Sequence, residues 1–318
     1  MNFRLSAASG ERNTFVGVIE SFARSFGIKT KAAEQLTADG AGCCSVECHV
    51  VHEDVLTVEI EEIGTYALMW TPTEDNTSAI GYTIEDGILG EGGVPESLAL
   101  AAGFAFTEGI VDSLADIANM AVCPERPDVV RMRLTHPSGV AVRRRNVVMN
   151  SSCGICGGRE QLASRFACTP PVPDTLRMSV ADFAGVREAM HRHQGIFGQT
   201  GGTHGAAVFD SDLMVVAVAE DLGRHNALDK VIGYRFLSDL GFAGCGVFIS
   251  SRVSYEMVAK SARAGFELVA AISAPSSLAI EMADRFGITL GGFVRGDSAK
   301  IYTHPHRIVA RAGNSFLA

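Results

Sequence analysis

The residues best placed to do chemistry are Cys153 and Cys156, a C-x-x-C apart within Asn150-Ser-Ser-Cys-Gly-Ile-Cys-Gly157. Glycine removes side-chain obstruction and permits unusual backbone angles, so such a segment can bring a sulfur close to a visiting group. The thiolate is the reactive form. A free cysteine, with a pKa near 8.5, is only a few per cent thiolate at neutral pH, and lowering that pKa to about 7 makes roughly half of it nucleophilic. Arg143, Arg144 and Arg145 stand just upstream and supply positive potential. Neighbours along a strand face opposite ways, so only part of that run can serve the thiols.

Four chemistries compete for this pair. A zinc half-site needs two more ligands. The deaminase pattern H-x-E with P-C-x-x-C is absent, because Ser152 precedes Cys153 and no H-x-E occurs upstream. A thioredoxin-like redox pair belongs near the start of a βαβ chain, whereas this one follows a strand-rich half. An incidental pair is disfavoured by the flanking glycines, which make poor core. Sulfur carriage as a persulfide remains, and spacing alone does not separate it from redox work. A second cluster, Cys43, Cys44, Cys48, His49 and His52, has no standard zinc-ribbon spacing and reads better as structural or incidental than as a metal site.

A second candidate set lies in polar turns of the C-terminal half. These are Thr200, Gly201, Gly202, Thr203 and His204; Arg224 and His225; Arg252; Ser276; and the stretch from Phe293 to Ser298. Strand-to-helix turns present free backbone N–H groups and the positive end of a helix dipole, which suits an anion. Arg224, Arg252 and Arg295 add charge-assisted bonds to phosphate, and Asp297 can accept from a guanine or ribose edge. Plainer readings stand beside these. Ser254, Ser276 and Asn226 serve equally as helix caps. His225 can bond Asp229 one turn along its helix, and Arg252 can pair with a surface acid. No turn matches a Walker loop or a G-x-G-x-x-G fingerprint. The repetition of such turns in one layer favours a phosphate-bearing ligand.

The elements that must position these groups follow from periodicity. Residues 1–48 read as an N-terminal extension, with an apolar helical stripe over 14–26. Residues 49–150 read as a β-rich subdomain, in which Val55 to Ile60 and Tyr66 to Trp70 form a hairpin about Gly64. Two similar segments follow, Ala79 to Leu89 and Ala101 to Val111, as though duplicated. Val129 to Leu134 and Val140 to Met149 read as a strand pair running into the thiol segment. Residues 151–178 form the C-x-x-C loop and a proline-marked linker. Residues 179–318 alternate strand and helix. Helices are expected from Ser179, as cap, to His193; from Asn226 to Leu240; from Tyr255 to Arg263; and from Leu278 to Phe286. Strands are expected at Leu213 to Ala219, Val247 to Ser250, Leu268 to Ile272 and Ile288 to Val294. This implies an α/β layer with a mainly parallel sheet, whose ligands sit beyond the strand C-termini.

Composition narrows the class. A chain of 318 residues can bury a sizeable core. A net charge of -9 argues against non-specific nucleic-acid binding. There is no apolar run of membrane-spanning length and no signal-peptide core over 1–12, so a cytoplasmic location is expected. Eight cysteines in such a chain do not suggest a disulfide framework, and Cys245 reads as a plain buried residue.

Taken together, the motifs resemble the FdhD family, the accessory sulfurtransferases of formate dehydrogenase maturation. The matching stretches are Asn150 to Gly157, Thr200 to His204, Glu220 to Lys230, Arg252 to Glu256, Ala274 to Leu278 and Gly292 to Asp297, in order from about Val55 to the C-terminus. The resemblance implies a cytidine-deaminase-like α/β layer (α+β overall) without the deaminase zinc site, beside a smaller β-rich N-terminal subdomain. It implies sulfur received from a cysteine desulfurase and passed to the molybdenum or tungsten bis-molybdopterin guanine dinucleotide cofactor destined for the formate dehydrogenase catalytic subunit. No tightly bound catalytic metal is implied. Cys153 matches the persulfide-bearing cysteine and Cys156 its second thiol. Phe293, Val294, Arg295, Gly296, Asp297 and Ser298 match the cofactor-binding segment. A homodimer is expected from the resemblance alone. The alternative is a non-enzymatic chaperone that binds and delivers the cofactor. This chain departs from the family pattern in its long lead-in, in an apparent insertion over 76–98, and at Ser251 and Ser298.

Overall fold

The structure is a computed structural model and describes residues 26–38, 43–73, 81–89, 93–123, 125–137, 148–149 and 169–310. The Cys153 and Cys156 segment lies outside the described residues, as does the expected helix over 14–26 apart from Phe26, which sits in a turn. Strands β1 (Ile28–Leu36) and β2 (Cys43–Val51) form a separate antiparallel hairpin. The position expected to end the extension, residue 48, therefore falls inside a strand.

Next come β3 (Asp54–Ile60), β4 (Gly64–Trp70), β5 (Gly81–Thr83) and β6 (Gly87–Leu89), then helix α1 (Glu96–Thr107), β7 (Ile117–Cys123), β8 (Arg126–Leu134) and β9 (Val148–Met149). They build a seven-stranded sheet in the order β6-β5-β7-β8-β3-β4-β9. The hairpin about Gly64 is observed as β3 against β4. Alternation along these strands sends Leu56, Val58, Tyr66, Leu68 and Trp70 to one buried face.

Two expectations in this half are corrected. The segment from Ala101, read as a strand-like repeat of Ala79 to Leu89, belongs to α1, while Gly81 to Leu89 is the β5–β6 hairpin at the sheet edge. All twelve residues of α1 are buried, and a helix apolar all round shows no periodicity to distinguish it from a buried strand. The second correction concerns Val148–Met149, which pairs in parallel with β4 rather than with β8. β8 has β3 and β7 on its two sides, leaving no free edge for it.

The C-terminal half comprises α2 (Asp182–Arg192), α3 (Gly195–Thr200), β10 (His204–Phe209), β11 (Val215–Asp221), α4 (Arg224–Leu237), β12 (Gly246–Ile249), α5 (Tyr255–Ala264), β13 (Leu268–Ala271), α6 (Ser277–Phe286), β14 (Thr289–Arg295) and β15 (Ser298–Thr303). The sheet order is β11-β10-β12-β13-β14-β15. It is mixed, not mainly parallel: only β12, β13 and β14 run parallel, through the α5 and α6 crossovers. β10 pairs antiparallel with both β11 and β12, and β14 with β15. The short turns after Phe209 and Arg295 can make only antiparallel pairs, since a parallel return needs a crossover of a dozen residues or more. The α/β class with a β-rich N-terminal sheet beside the α/β layer is the one observed.

Phe183, Val186 and Met190 of α2 cover one face of this sheet with Ala207, Phe209, Phe248 and Val294. The opposite face, with Val208, Val247, Ile249 and Val269, joins the main core with α4, α5, α6 and the seven-stranded sheet. Cys245 is buried there, as expected. Several boundaries moved by a few residues; α4, for one, starts at Arg224 and not at Asn226. Ala181, not Ser179, holds the N-cap position of α2, and Ser179 Oγ instead donates to Asp182 at 2.8 Å. Leu213 sits in a turn at φ 62°. Leu240 falls beyond α4 and is exposed.

α1 and α4 tie the two halves together. A Cβ on Gly103 would lie 1.9 Å from the Asp229 carbonyl oxygen, and one on Gly233 would lie 1.7 Å from that of Ala99. Glycine to alanine inside a helix ordinarily stabilises by about 1 kcal/mol. Gly233→Ala is expected to do the reverse, costing about 1–3 kcal/mol or more through overpacking against backbone that cannot yield. A lowered urea midpoint at unchanged slope is the expected readout.

Candidate functional site

Strand directions decide which turns share an edge. β11, β12, β13 and β14 end, and β10 and β15 begin, on the same side of the six-stranded sheet. That edge collects His204, the turn from Asp221 to Arg224, the turn from Ser250 to Ser254, the turn before Ser276, and the Arg295-to-Ser298 hairpin. The five polar turns singled out in the sequence therefore converge.

At the centre is a basic cluster. His204 opens β10 opposite Asp221. Burial pushes its pKa below the ordinary histidine value; Arg224, Arg252 and His225 push the same way, and Asp221 opposes them. Burial and then the Arg252 charge also lower Arg224, whose Nε is buried without a hydrogen-bond partner. Among the described residues no carboxylate forms an ion pair with Arg224 or Arg252. Glu256, the acid that acts on Arg224, is engaged elsewhere: His225 Nε2 lies 2.9 Å from its Oε2. That contact, more than any other influence, holds the Glu256 pKa low. His225 thus pairs with Glu256 and not with Asp229, which takes Lys260 at 2.8 Å. Arg224 is half-buried and Arg252 exposed, and their like charges oppose each other with only Glu256 acting against them on Arg224 among the described residues, so an anion between them would be favoured.

The other expected site residues divide. Thr200 and Thr203 are spent internally: Thr200 Oγ1 donates to the Ile196 carbonyl at 2.8 Å, and Thr203 Oγ1 to Glu220 at 2.8 Å. Gly201 closes α3 at φ 64°, and Gly202 packs against Val51. Ser276 caps α6, accepting from Ala279 N at 3.2 Å, so the capping reading holds for it. Ser254 holds the N-cap position of α5 without a side-chain cap bond. Val294 points into the core. Arg295, Gly296, Asp297 and Ser298 form an exposed two-residue hairpin turn, with Gly296 at φ 52°. Phe293 is more than a third exposed although its φ is 52°, a strained value for a bulky residue. Lys300 Nζ stands 4.7 Å over its ring. A groove of about 880 Å³ at the other end of β4, lined by Glu59, Glu61, Glu62, Arg131 and Arg133 among others, contains none of the expected residues.

Sequence reading missed what holds the basic turn in place. Asp221 Oδ1 accepts from Gly223 N at 2.8 Å and Asn226 Nδ2 at 3.0 Å. Its Oδ2 accepts from Thr71 N at 3.0 Å and lies 2.7 Å from Lys230 Nζ. Lys230, fully buried, also donates to Glu96 Oε1 at 2.6 Å, to the Thr71 carbonyl at 2.9 Å and to the Glu220 carbonyl at 3.1 Å. Burial opposes its charge, but Asp221 and Glu96 outweigh burial and raise its pKa. Asn226 is not a cap, since Gly223 holds the N-cap position of α4; its amide instead donates to the Met69 carbonyl at 2.6 Å. The apolar stripe of Leu228, Val231 and Ile232 lies on the opposite face of this helix, so periodicity assigned Asn226 and Lys230 to solvent although the structure buries both.

These bonds join the basic edge to the end of β4. Ala67 and Leu68 of β4 pair with Val148 and Met149, and the two strands run parallel. The chain therefore leaves β9 toward the end where Met69 and Thr71 meet α4. The comparisons bear on this arrangement. The FdhD/NarQ family model matches residues 94–309. The chain belongs to the FdhD/NarQ family. Among FdhD/NarQ relatives, the sulfur carrier protein FdhD of Sulfolobus acidocaldarius is 39% identical over 265 residues, covering 83% of this chain and 92% of the relative. That of Thermoplasma acidophilum is 37% identical over 233 residues, covering 72% and 81%. A crystal structure from Desulfotalea psychrophila, described as a candidate formate dehydrogenase accessory protein, superposes with a TM-score of 0.67 at 20% identity. It covers 89% of this chain and 99% of its own, and it shows the shared fold. Among the described residues no helix is long and apolar enough to cross a membrane, and no group of three or more His, Cys, Asp or Glu is arranged to hold a metal ion.

Proposed function

We propose that this chain is a sulfurtransferase of formate dehydrogenase maturation, carrying sulfur on Cys153 to a guanine-dinucleotide cofactor held at the six-stranded sheet edge. The observation that carries this reading is the basic pair Arg224 and Arg252, which form no ion pair among the described residues, at the edge where the polar turns converge. The sulfur carrier proteins among the relatives support it.

In the first step, the Cys153 thiolate attacks the outer sulfur of a persulfide on a cysteine desulfurase. A new S–S bond forms on Cys153, the old one breaks, and the desulfurase leaves as a thiolate, so no external oxidant is needed. In the second, the Cys156 thiolate attacks the inner sulfur of that persulfide. This forms a Cys153–Cys156 disulfide and releases hydrosulfide to the molybdenum or tungsten centre of the cofactor. A cellular dithiol then reduces the disulfide. Cys153 is the fourth residue after Met149, a reach of at most about 14 Å. The cofactor is substrate here, its pyrophosphates matched to Arg224 and Arg252 and its guanine to the turn from Phe293 to Ser298.

The test is mass spectrometry after incubation with a desulfurase and cysteine. One added sulfur is expected on the Cys153 peptide, with formate dehydrogenase activity lost in cells carrying Cys153→Ala. No added sulfur, together with full activity in that variant, would instead favour a chaperone that binds and delivers the cofactor.

A further inference from the structure

His204 lies half-buried at the start of β10, opposite Asp221 and among the basic turns, and that setting disfavours its protonated form. From α4, Arg224 and His225 face it; from the turn after β12, Arg252; from the end of β11, Asp221. Behind His225, Glu256 of α5 is bonded to that ring and not to His204. Glu220, next to Asp221, points to the other face of the sheet, where it accepts from Ile196 N at 2.8 Å and Phe197 N at 3.1 Å. Among the described residues, three cationic or proton-binding groups oppose a proton on His204, and Asp221 favours it. Asp221 is itself committed to Lys230, Thr71, Gly223 and Asn226.

A bound anion reverses that balance. Negative charge between Arg224 and Arg252 cancels their repulsion and adds an attraction of its own, and an opposite charge within a few ångströms favours the protonated ring. We propose that the edge takes a pyrophosphate together with one proton from solvent, accepted by His204, which then becomes a third cationic ligand to the phosphates. The inference rests on the cofactor reading above and adds a role for His204 that the reading does not require.

The sign follows from linkage. His204 stays neutral in the free protein below the usual histidine range. If the bound state holds its proton to higher pH, binding takes up a proton. Affinity then rises as pH falls from 8 to 6, by up to about tenfold for each unit between the bound and free values. The matching stability effect runs the other way: a histidine kept neutral by the fold contributes stability above the unfolded pKa, and that contribution is lost as pH falls through the folded one.

The probe is GDP-mannose, whose two phosphates, like those of a dinucleotide, carry fixed charge near neutrality, so any proton taken up belongs to the protein. Calorimetric titration of the full chain in buffers of different ionisation heat is expected to show net uptake approaching one proton. Binding is expected to tighten toward pH 6. His204→Asn, and His204→Gln as a second variant, are expected to lose the tightening toward pH 6, with a flat pH profile and no uptake. Binding without proton uptake, or uptake undiminished in both variants, overturns the role of His204 and leaves the cofactor reading standing. Absence of binding at every pH overturns both.

Discussion

Lys230→Met is expected to destabilise the protein by about 3–5 kcal/mol, because it leaves two buried carboxylates without their cation. Asp221 and Glu96 are both buried and lie 2.7 and 2.6 Å from the ammonium. Methionine matches the length of the lysine stem, so the loss comes from charge and hydrogen bonding and little from volume. The expected measurement is a urea midpoint that falls with unchanged slope, at pH 7. Adding Glu96→Gln and Asp221→Asn removes the orphaned charges and is expected to recover a large part of the loss. Failure to recover would mean that the backbone contacts of Lys230 to Thr71 and Glu220 matter more than its charge pairs. Either way the seven-stranded sheet and the basic turn are expected to loosen together, since Thr71 and Asp221 share this lysine.

The C-terminal layer was legible because alternating strand and helix leaves two separate periods in the sequence, and because its turns carry glycines and hydroxyls at the breaks. The convergence of those turns was legible for the same reason: strands joined by helices place their ends together. Sheet direction was not. Whether β10 and β11 are antiparallel depends on the short link from Phe209 to Val215, and β10 was not among the expected strands, so there was no link to measure. α1 escaped because burial on every side erases the helical period. Within the site, residue type alone found Arg224 and Arg252, but not which hydroxyls were free. Thr203 and Ser276 serve the fold, a distinction carried by partners more than fifteen or as few as three residues away. The Asp221–Lys230 network was hidden because its partners, Glu96 and Thr71, lie more than a hundred residues from Lys230 in sequence.

Replacing both arginines, Arg224→Gln with Arg252→Gln, is expected to move binding and stability in opposite directions. A charge-assisted hydrogen bond contributes about 1.5–3 kcal/mol, so each arginine lost weakens GDP-mannose binding about ten- to a hundredfold. Because the two share one ligand, the pair is expected to fall short of the product of the singles. In the free protein the same change removes mutual repulsion and a half-buried guanidinium whose Nε has no partner. The double variant is therefore expected to unfold at the same temperature as the parent or higher, with the circular dichroism spectrum unchanged. Loss of both binding and stability would mean that the arginines hold the fold and that the ligand, if any, sits elsewhere. Retained stability with lost binding is what a site strained for function predicts, since like charges kept side by side cost the free fold a little and favour a bound anion.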